Sequence, residues 1–203
     1  MTKKEIRKIF LERRKKFSNC QQNDISEAVA TNFFSFLPKI LSKNKLENIT
    51  INFIHIFLPI TSKNEIDTFL IIRKIQKEFP EIKLVVPKVN LEIMQIENFL
   101  LEETSILKLN KWDILEIQNG EKVPNSSINI VLLPLLAFDK NGFRVGYGKG
   151  FYDKFLEKCN EDGNQNIIKI GLSSENNATL IDDLNEFDQK MDFCITPIQI
   201  IAF

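Results

Sequence analysis

Four of the chain's seven glycines fall between Leu132 and Leu156, in LLPLLAFDKNGFRVGYGKGFYDKFL. The stretch opens as an apolar run, breaks at Pro134 and turns at Asp139-Lys140-Asn141-Gly142. It then passes Gly146-Tyr147-Gly148-Lys149-Gly150 and resumes with helical spacing at Phe151. Strand, glycine loop and helix in that order free backbone N–H groups to meet an anion, usually a phosphate. Glycines at alternate positions permit positive φ and close backbone approach, while Arg144 and Lys149 add fixed cations. Asp153 follows at once, although a carboxylate beside bare phosphate is repelled. Two readings are open for it: a first-turn carboxylate that suits the helix dipole, or a ligand to a magnesium ion shared with phosphate oxygens.

The two common phosphate motifs are absent. A P-loop needs Ser or Thr after its Gly-Lys pair, and here Gly148-Lys149 is followed by Gly150. A dinucleotide fingerprint needs a third glycine where Phe151 stands. The loop keeps the physics of an anion cradle without either label.

The elements that must position this loop can be read from pattern. Thr2-Lys3-Lys4-Glu5 is a capping box opening a helix to about Phe17. At about 100° per residue, Lys3, Arg7 and Arg14 fall within roughly 40° of one another beside its apolar stripe. Charge rows of this kind are usually solvated edges, so spacing alone favours that reading over the lip of a cleft. A second helix is expected after Asn23, ended or kinked by Pro38. Ile49–Phe57 reads as a buried strand holding the chain's one histidine, His55, as a satisfied structural residue. Asn64 is expected to cap a helix that ends before Pro80, with Glu65 and Asp67 in its first turn. Ile82–Val86 reads as a strand stopped by Pro87, and Ile128–Leu133 and Ile167–Leu172 as further buried strands. Shorter strands are expected at 91–97 and 104–109, with an edge at 193–202. Trp112 reads as a core plug or as a stacking surface. Strands alternating with helices predict right-handed crossovers and an α/β fold, a three-layer α/β/α sandwich around a mostly parallel sheet, as a single domain over 1–203.

Charge and composition exclude several classes. The 27 basic and 27 acidic residues cancel, so no global field draws the chain to nucleic acid or to a membrane. No apolar run approaches the roughly 20 residues of a membrane span, and MTKKEIRKIF lacks a signal core, so a cytoplasmic location is expected. Cys20, Cys159 and Cys194 match neither a disulfide framework nor a zinc pattern.

The central run resembles the signature of the 5-formyltetrahydrofolate cyclo-ligases, also called 5,10-methenyltetrahydrofolate synthetases. The resemblance continues in order through Lys3 and Arg7, Glu65 to Thr68, Val86-Pro87-Lys88, Trp112 to Glu116, and Asp188 with Asp192. It implies a three-layer fold and an ATP- and Mg²⁺-dependent closure of 5-formyltetrahydrofolate to 5,10-methenyltetrahydrofolate, releasing ADP and phosphate. It implies ATP contacts from Lys3, Lys4, Arg7, Arg144, Gly146, Tyr147, Gly148, Lys149, Gly150, Phe151 and Tyr152, with Lys149 and Arg144 in the chemistry. The folate would meet Leu58, Glu65, Trp112 and the loop from Tyr147 to Phe151; Asp153 and Asp192 would hold magnesium. Folate and ATP are the partners implied, for a monomer or weak homodimer. Asp113, Ile117, Asn129 and Ser174 depart from the family's usual residues. A non-catalytic folate or nucleotide sensor on the same scaffold is a second reading, disfavoured by intact Lys149, Asp153 and Asp192. An enzyme of sugar phosphates or acyl-CoA is a third, resting on fold analogy alone.

Overall fold

A computed structural model describes residues 1–46, 50–90, 92–110 and 114–203. Thr2 opens helix α1 (Lys3–Lys15) with the reciprocal capping box expected of Thr2 and Glu5. Helix α2 (Asn19–Leu46) starts earlier than its polar N-terminal residues suggest and continues through Pro38. Leu37 and Ile40, buried on either side of that proline, anchor both flanking turns to the core and offset the lost backbone bond. Strand β1 (Phe53–His55) is the paired centre of the expected longer strand, and Ile56 N–H still donates to Val85 C=O at 2.8 Å.

The next segment differs from expectation. Asn64 caps no helix; at φ 48° it closes the short 3₁₀ turn Thr61–Lys63. Helix α3 (Phe69–Glu78) begins after Thr68, so Glu65 and Asp67 precede it and Glu65 gains nothing from its dipole. Strand β2 (Lys83–Asn90) runs straight through Pro87. Val85 C=O points to β1, so position 87 turns its missing N–H the same way, and β1's ladder has ended at His55.

The chain continues through β3 (Gln95–Leu101), β4 (Leu107–Leu109), β5 (Leu115–Ile117), β6 (Ile130–Pro134), β7 (Ala137–Phe138), β8 (Arg144–Val145), α4 (Phe151–Glu161), β9 (Ile168–Leu172), β10 (Phe193–Ile195) and β11 (Ile200–Ala202). Seven strands form the main sheet in the order β11-β10-β9-β6-β1-β2-β3. The inner pairings are parallel, and β3 and β11 pair antiparallel at the edges. Asn129 Oδ1 accepts from the N–H groups of Asn52 and Phe53, both at 2.9 Å, tying the starts of β6 and β1 together.

Alternation along β6 builds both faces of the sandwich. Ile130 and Leu132 join a core with Val29, Phe33 and Leu37 of α2 and Ile71 and Ile75 of α3. Val131 and Leu133 face Phe155, Leu156 and Cys159 of α4. Helix α1 packs instead on the β7–β8 hairpin, where Ile6 and Phe10 meet Leu136, Ala137 and Val145. The three-layer α/β arrangement expected from the alternation of elements is what forms.

Strand order reverses between β1 and β6. From β1 the chain passes to β2 on one side, and it later returns on the other side through β6, β9 and β10. Beyond the C-terminal ends of two such strands lies the crevice where open α/β sheets bind ligands.

Candidate active site

Arg14, Phe57, Glu65, Pro134, Leu135 and Leu172 gather at that crevice and close it, leaving no room for a water-sized body between them. It takes residues from the ends of β1, β6 and β9 and closes them over with α1 and the loop before α3. Leu58 is buried in the main core; its neighbour Phe57 is the side chain that reaches the crevice.

The basic row of α1 is not a solvated edge. Arg14 is only 4% exposed; its guanidinium donates to the Leu135 carbonyl and, at 3.1 Å, to the Tyr147 hydroxyl. Arg7 Nε donates to Gly146 C=O at 2.9 Å, and Lys3 Nζ contacts both Asp188 oxygens at 2.6 and 2.5 Å. Spacing had aligned these cations, but only the fold supplies the partners that draw them inward. Lys4, about 100° from Lys3 around the helix, is exposed. Arg14 is the site residue the motif resemblance leaves out, and its place in the same arc as Lys3 and Arg7 is the signal that finds it.

The glycine loop fits under these cations. Gly148 has φ 92°, and a Cβ there would lie 3.1 Å from Arg7 Cζ, so any side chain would push the guanidinium away. Gly150, at φ 68°, is the N-cap of α4 and offers it no capping side chain. The N–H groups of Phe151, Tyr152 and Asp153 therefore have no acceptor among the described residues. Gly146 has neither a positive φ nor a crowded Cβ position. Lys149 is exposed and makes no ion pair among the described residues. Phe151 and Tyr152 pack against the core, so only their backbones can serve an anion.

Arg144 turns away from this cradle. Its guanidinium donates to Asp153 Oδ1 at 2.9 Å and to Gln189 C=O at 2.8 Å, in a pair whose arginine side chain is 4% exposed. Burial lowers the Arg144 pKa and the Asp153 charge opposes that shift. Asp153 Oδ1 also accepts from Gln189 N–H, while Oδ2 has no described partner. The described side-chain partners of Asp192 are on β9. Its Oδ2 accepts from Lys169 N–H at 2.7 Å and its Oδ1 lies 3.7 Å from Lys169 Nζ, at the start of β9. Among the described residues no cluster of three acidic, histidine or cysteine side chains could hold a metal.

On the crevice side, Glu65 is 6% exposed, and its Oε2 accepts from Ile60 N–H at 2.7 Å. Burial raises its pKa above the usual carboxylate value; bonds from Ile60 and Tyr147 and the charges of Arg14 and Lys63 oppose the rise. Burial and the nearby Glu65 push the Tyr147 phenol up, and Lys63 Nζ lies 4.5 Å from the centre of its ring. His55 is fully buried between Tyr152 and Phe155, and burial lowers its pKa to about 3. It lies in the core, but it is not the satisfied histidine expected: among the described residues neither ring nitrogen has a hydrogen-bond partner, nor has the Tyr152 hydroxyl. Trp112, with Asp113 beside it, lies outside the described residues.

At one end of this region the loop and the start of α4 present donors without described partners, and at the other the buried Glu65 carboxylate stands beside Tyr147. The 5-formyltetrahydrofolate cyclo-ligase family model matches residues 1–197. A cyclo-ligase of Mycoplasma pneumoniae is 28% identical over 199 residues, 96% of this chain and 98% of that protein. The mouse cyclo-ligase is 27% identical over 162 residues, 76% of each chain. A probable cyclo-ligase of Schizosaccharomyces pombe is 30% identical over 113 residues, 50% of this chain and 55% of that protein. The solved 5,10-methenyltetrahydrofolate synthetase of Aquifex aeolicus superposes with a TM-score of 0.75 at 25% identity, covering 100% of this chain and 93% of its own.

Proposed function

The chain belongs to the 5-formyltetrahydrofolate cyclo-ligase family, and from that premise we propose that it closes 5-formyltetrahydrofolate to 5,10-methenyltetrahydrofolate with ATP as co-substrate. One observation carries the reading. An anion cradle with uncommitted donors, Lys149 and the first turn of α4, adjoins through Tyr147 the buried Glu65 wall of the switch-point crevice.

The chemistry asks for positioning and charge neutralisation rather than a protein nucleophile. A formyl oxygen is a poor leaving group. Transfer of the terminal phosphoryl group of ATP to that oxygen makes N5 an iminium and the oxygen a phosphate ester. N10 attacks the activated carbon, its proton is lost, phosphate leaves, and the five-membered ring closes. Lys149, the free N–H groups of Arg7 and the first-turn amides of α4 are the donors that meet the phosphate charge. Arg144 acts beneath them, holding Asp153 and the Gln189 carbonyl so that α4 keeps its N-terminus aimed at the loop. Glu65 and Tyr147 form the wall offered to the pterin.

Asp153, whose Oδ2 has no described partner, would hold a magnesium ion arriving with the nucleotide. When bound, the ion neutralises phosphate charge. Asp192, the second carboxylate of this reading, contacts Lys169 at the start of β9. The three free thiols support the cytoplasmic, reducing setting that belongs to the same reading, for a monomer or weak homodimer.

Purified protein mixed with 5-formyltetrahydrofolate, Mg²⁺ and ATP is expected to raise the absorbance of the methenyl product. Folate binding without product would favour the sensor reading, and equal product without ATP would end the phosphorylation mechanism.

A further inference from the structure

Arg14 carries a charge that is almost wholly buried, and among the described residues no carboxylate lies within ion-pair distance of it. Such a charge is costly unless its donors are satisfied and a counter-charge lies near. The donors are met by the Leu135 carbonyl at the end of β6 and by the Tyr147 hydroxyl in the glycine loop. The main-chain carbonyl of Arg14 accepts from Asn64 Nδ2 at 2.9 Å, one residue before Glu65. One residue of α1 therefore ties together the strand end, the anion loop and the segment that carries the buried carboxylate. Glu65 is reached across the Tyr147 hydroxyl, and Glu175 also feels the Arg14 charge.

We infer that Arg14 is a positioning residue for this reaction: through Tyr147 it holds the glycine loop against Glu65, and its charge is the counter-ion of that carboxylate. The inference rests on the reading above that Glu65 and Tyr147 form the folate wall. Its physical content is a balance. Burial favours neutral Glu65, whereas Arg14, Lys63 and the hydrogen bonds from Ile60 and Tyr147 favour the carboxylate. Tyr152 of α4 also faces this group and is neutral. Removing the Arg14 charge leaves Lys63 as the remaining cation, so neutral Glu65 persists to higher pH and the wall loses its acceptor. Arg14→Lys keeps the charge but lacks the planar fork that reaches two oxygens on different segments.

The test uses the full chain and two readouts: the Glu65 carboxyl titration by ¹³C NMR, and KM and kcat for 5-formyltetrahydrofolate across pH at saturating ATP. Arg14→Met is expected to move the Glu65 titration to higher pH and to raise folate KM about tenfold near neutrality. The loss should shrink as pH rises, with kcat changing less than KM. Arg14→Lys should leave the titration near its original place and still raise KM. A Glu65 titration unmoved in Arg14→Met overturns the inference, as does a KM loss that is constant with pH. If Arg14→Met does not fold, an Arg14→Lys variant with the parent's folate KM overturns it. Should the unmodified protein turn over no folate, the fault lies with the proposed activity, and the NMR titration still decides the link between Arg14 and Glu65.

Discussion

Two sets of cations flank the glycine loop, and they differ in what already neutralises them. On the open side, Lys149 has no ion-pair partner among the described residues and Arg7 commits only Nε, to the Gly146 carbonyl. On the closed side, Lys3 is held by Asp188, Arg144 by Asp153, and Arg14 by Tyr147 and the Leu135 carbonyl. A buried, paired cation has spent its charge on the frame, whereas an exposed and unpaired one has charge left for a ligand. Residue type does not separate the two sets; commitment does.

The difference is open to attack at each end. Lys149→Ala should lower turnover by about 10²- to 10³-fold, the usual cost of one phosphate or oxyanion donor. Its melting temperature should stay within about a degree, because the side chain is exposed; an unfolding defect of matching size would move Lys149 into the frame.

Arg144→Met should show the reverse weighting. Urea denaturation is expected to register a loss of about 2 kcal/mol, below the full range for a broken buried pair because the Asp153 side chain keeps 30% exposure. Turnover should fall as the start of α4 loosens. An unchanged unfolding midpoint with lost turnover would make Arg144 a ligand after all.

Glu65→Gln should make the protein more stable and less active at once. Because burial raises the Glu65 pKa, its contribution to stability is full below the unfolded pKa and is lost as pH rises through the folded value. The variant should therefore melt with the parent in acid and above it near neutrality by a few degrees, while folate KM rises. A gap that widens toward acid would reverse the assignment. The smallest effect is expected at Lys4, where alanine should change turnover by less than about twofold, since that side chain points about 120° from the buried face of α1; a tenfold loss would place Lys4 on the cradle.

Much of this was legible in the chain itself. The capping box at Thr2 and Glu5, the alternation along Ile130–Leu133 and the glycine spacing are local patterns, and backbone periodicity translates them directly into elements. Pro87 misled for the opposite reason: it is a breaker by itself and is tolerated because the ladder beside it has ended. Pro38, expected to end or kink its helix, does not end it because buried leucine and isoleucine flank it. The carboxylates divided in the same way. Asp153 kept its place beside the loop, but Arg144 and Gln189 took one of its oxygens, and Lys169 took Asp192.

The sequence by itself determined a glycine loop between a strand and a helix, with the pattern of an anion cradle, and the α/β sheet that carries it. Only the tertiary structure decided which charges remain free, because a charge's role depends on its partner, and here the partners are remote. Lys3 meets Asp188 across 185 residues and Arg14 meets Tyr147 across 133. No local period can encode a partner at that distance; only the packing of α1 on the β7–β8 hairpin and of the 180–189 segment on α1 can.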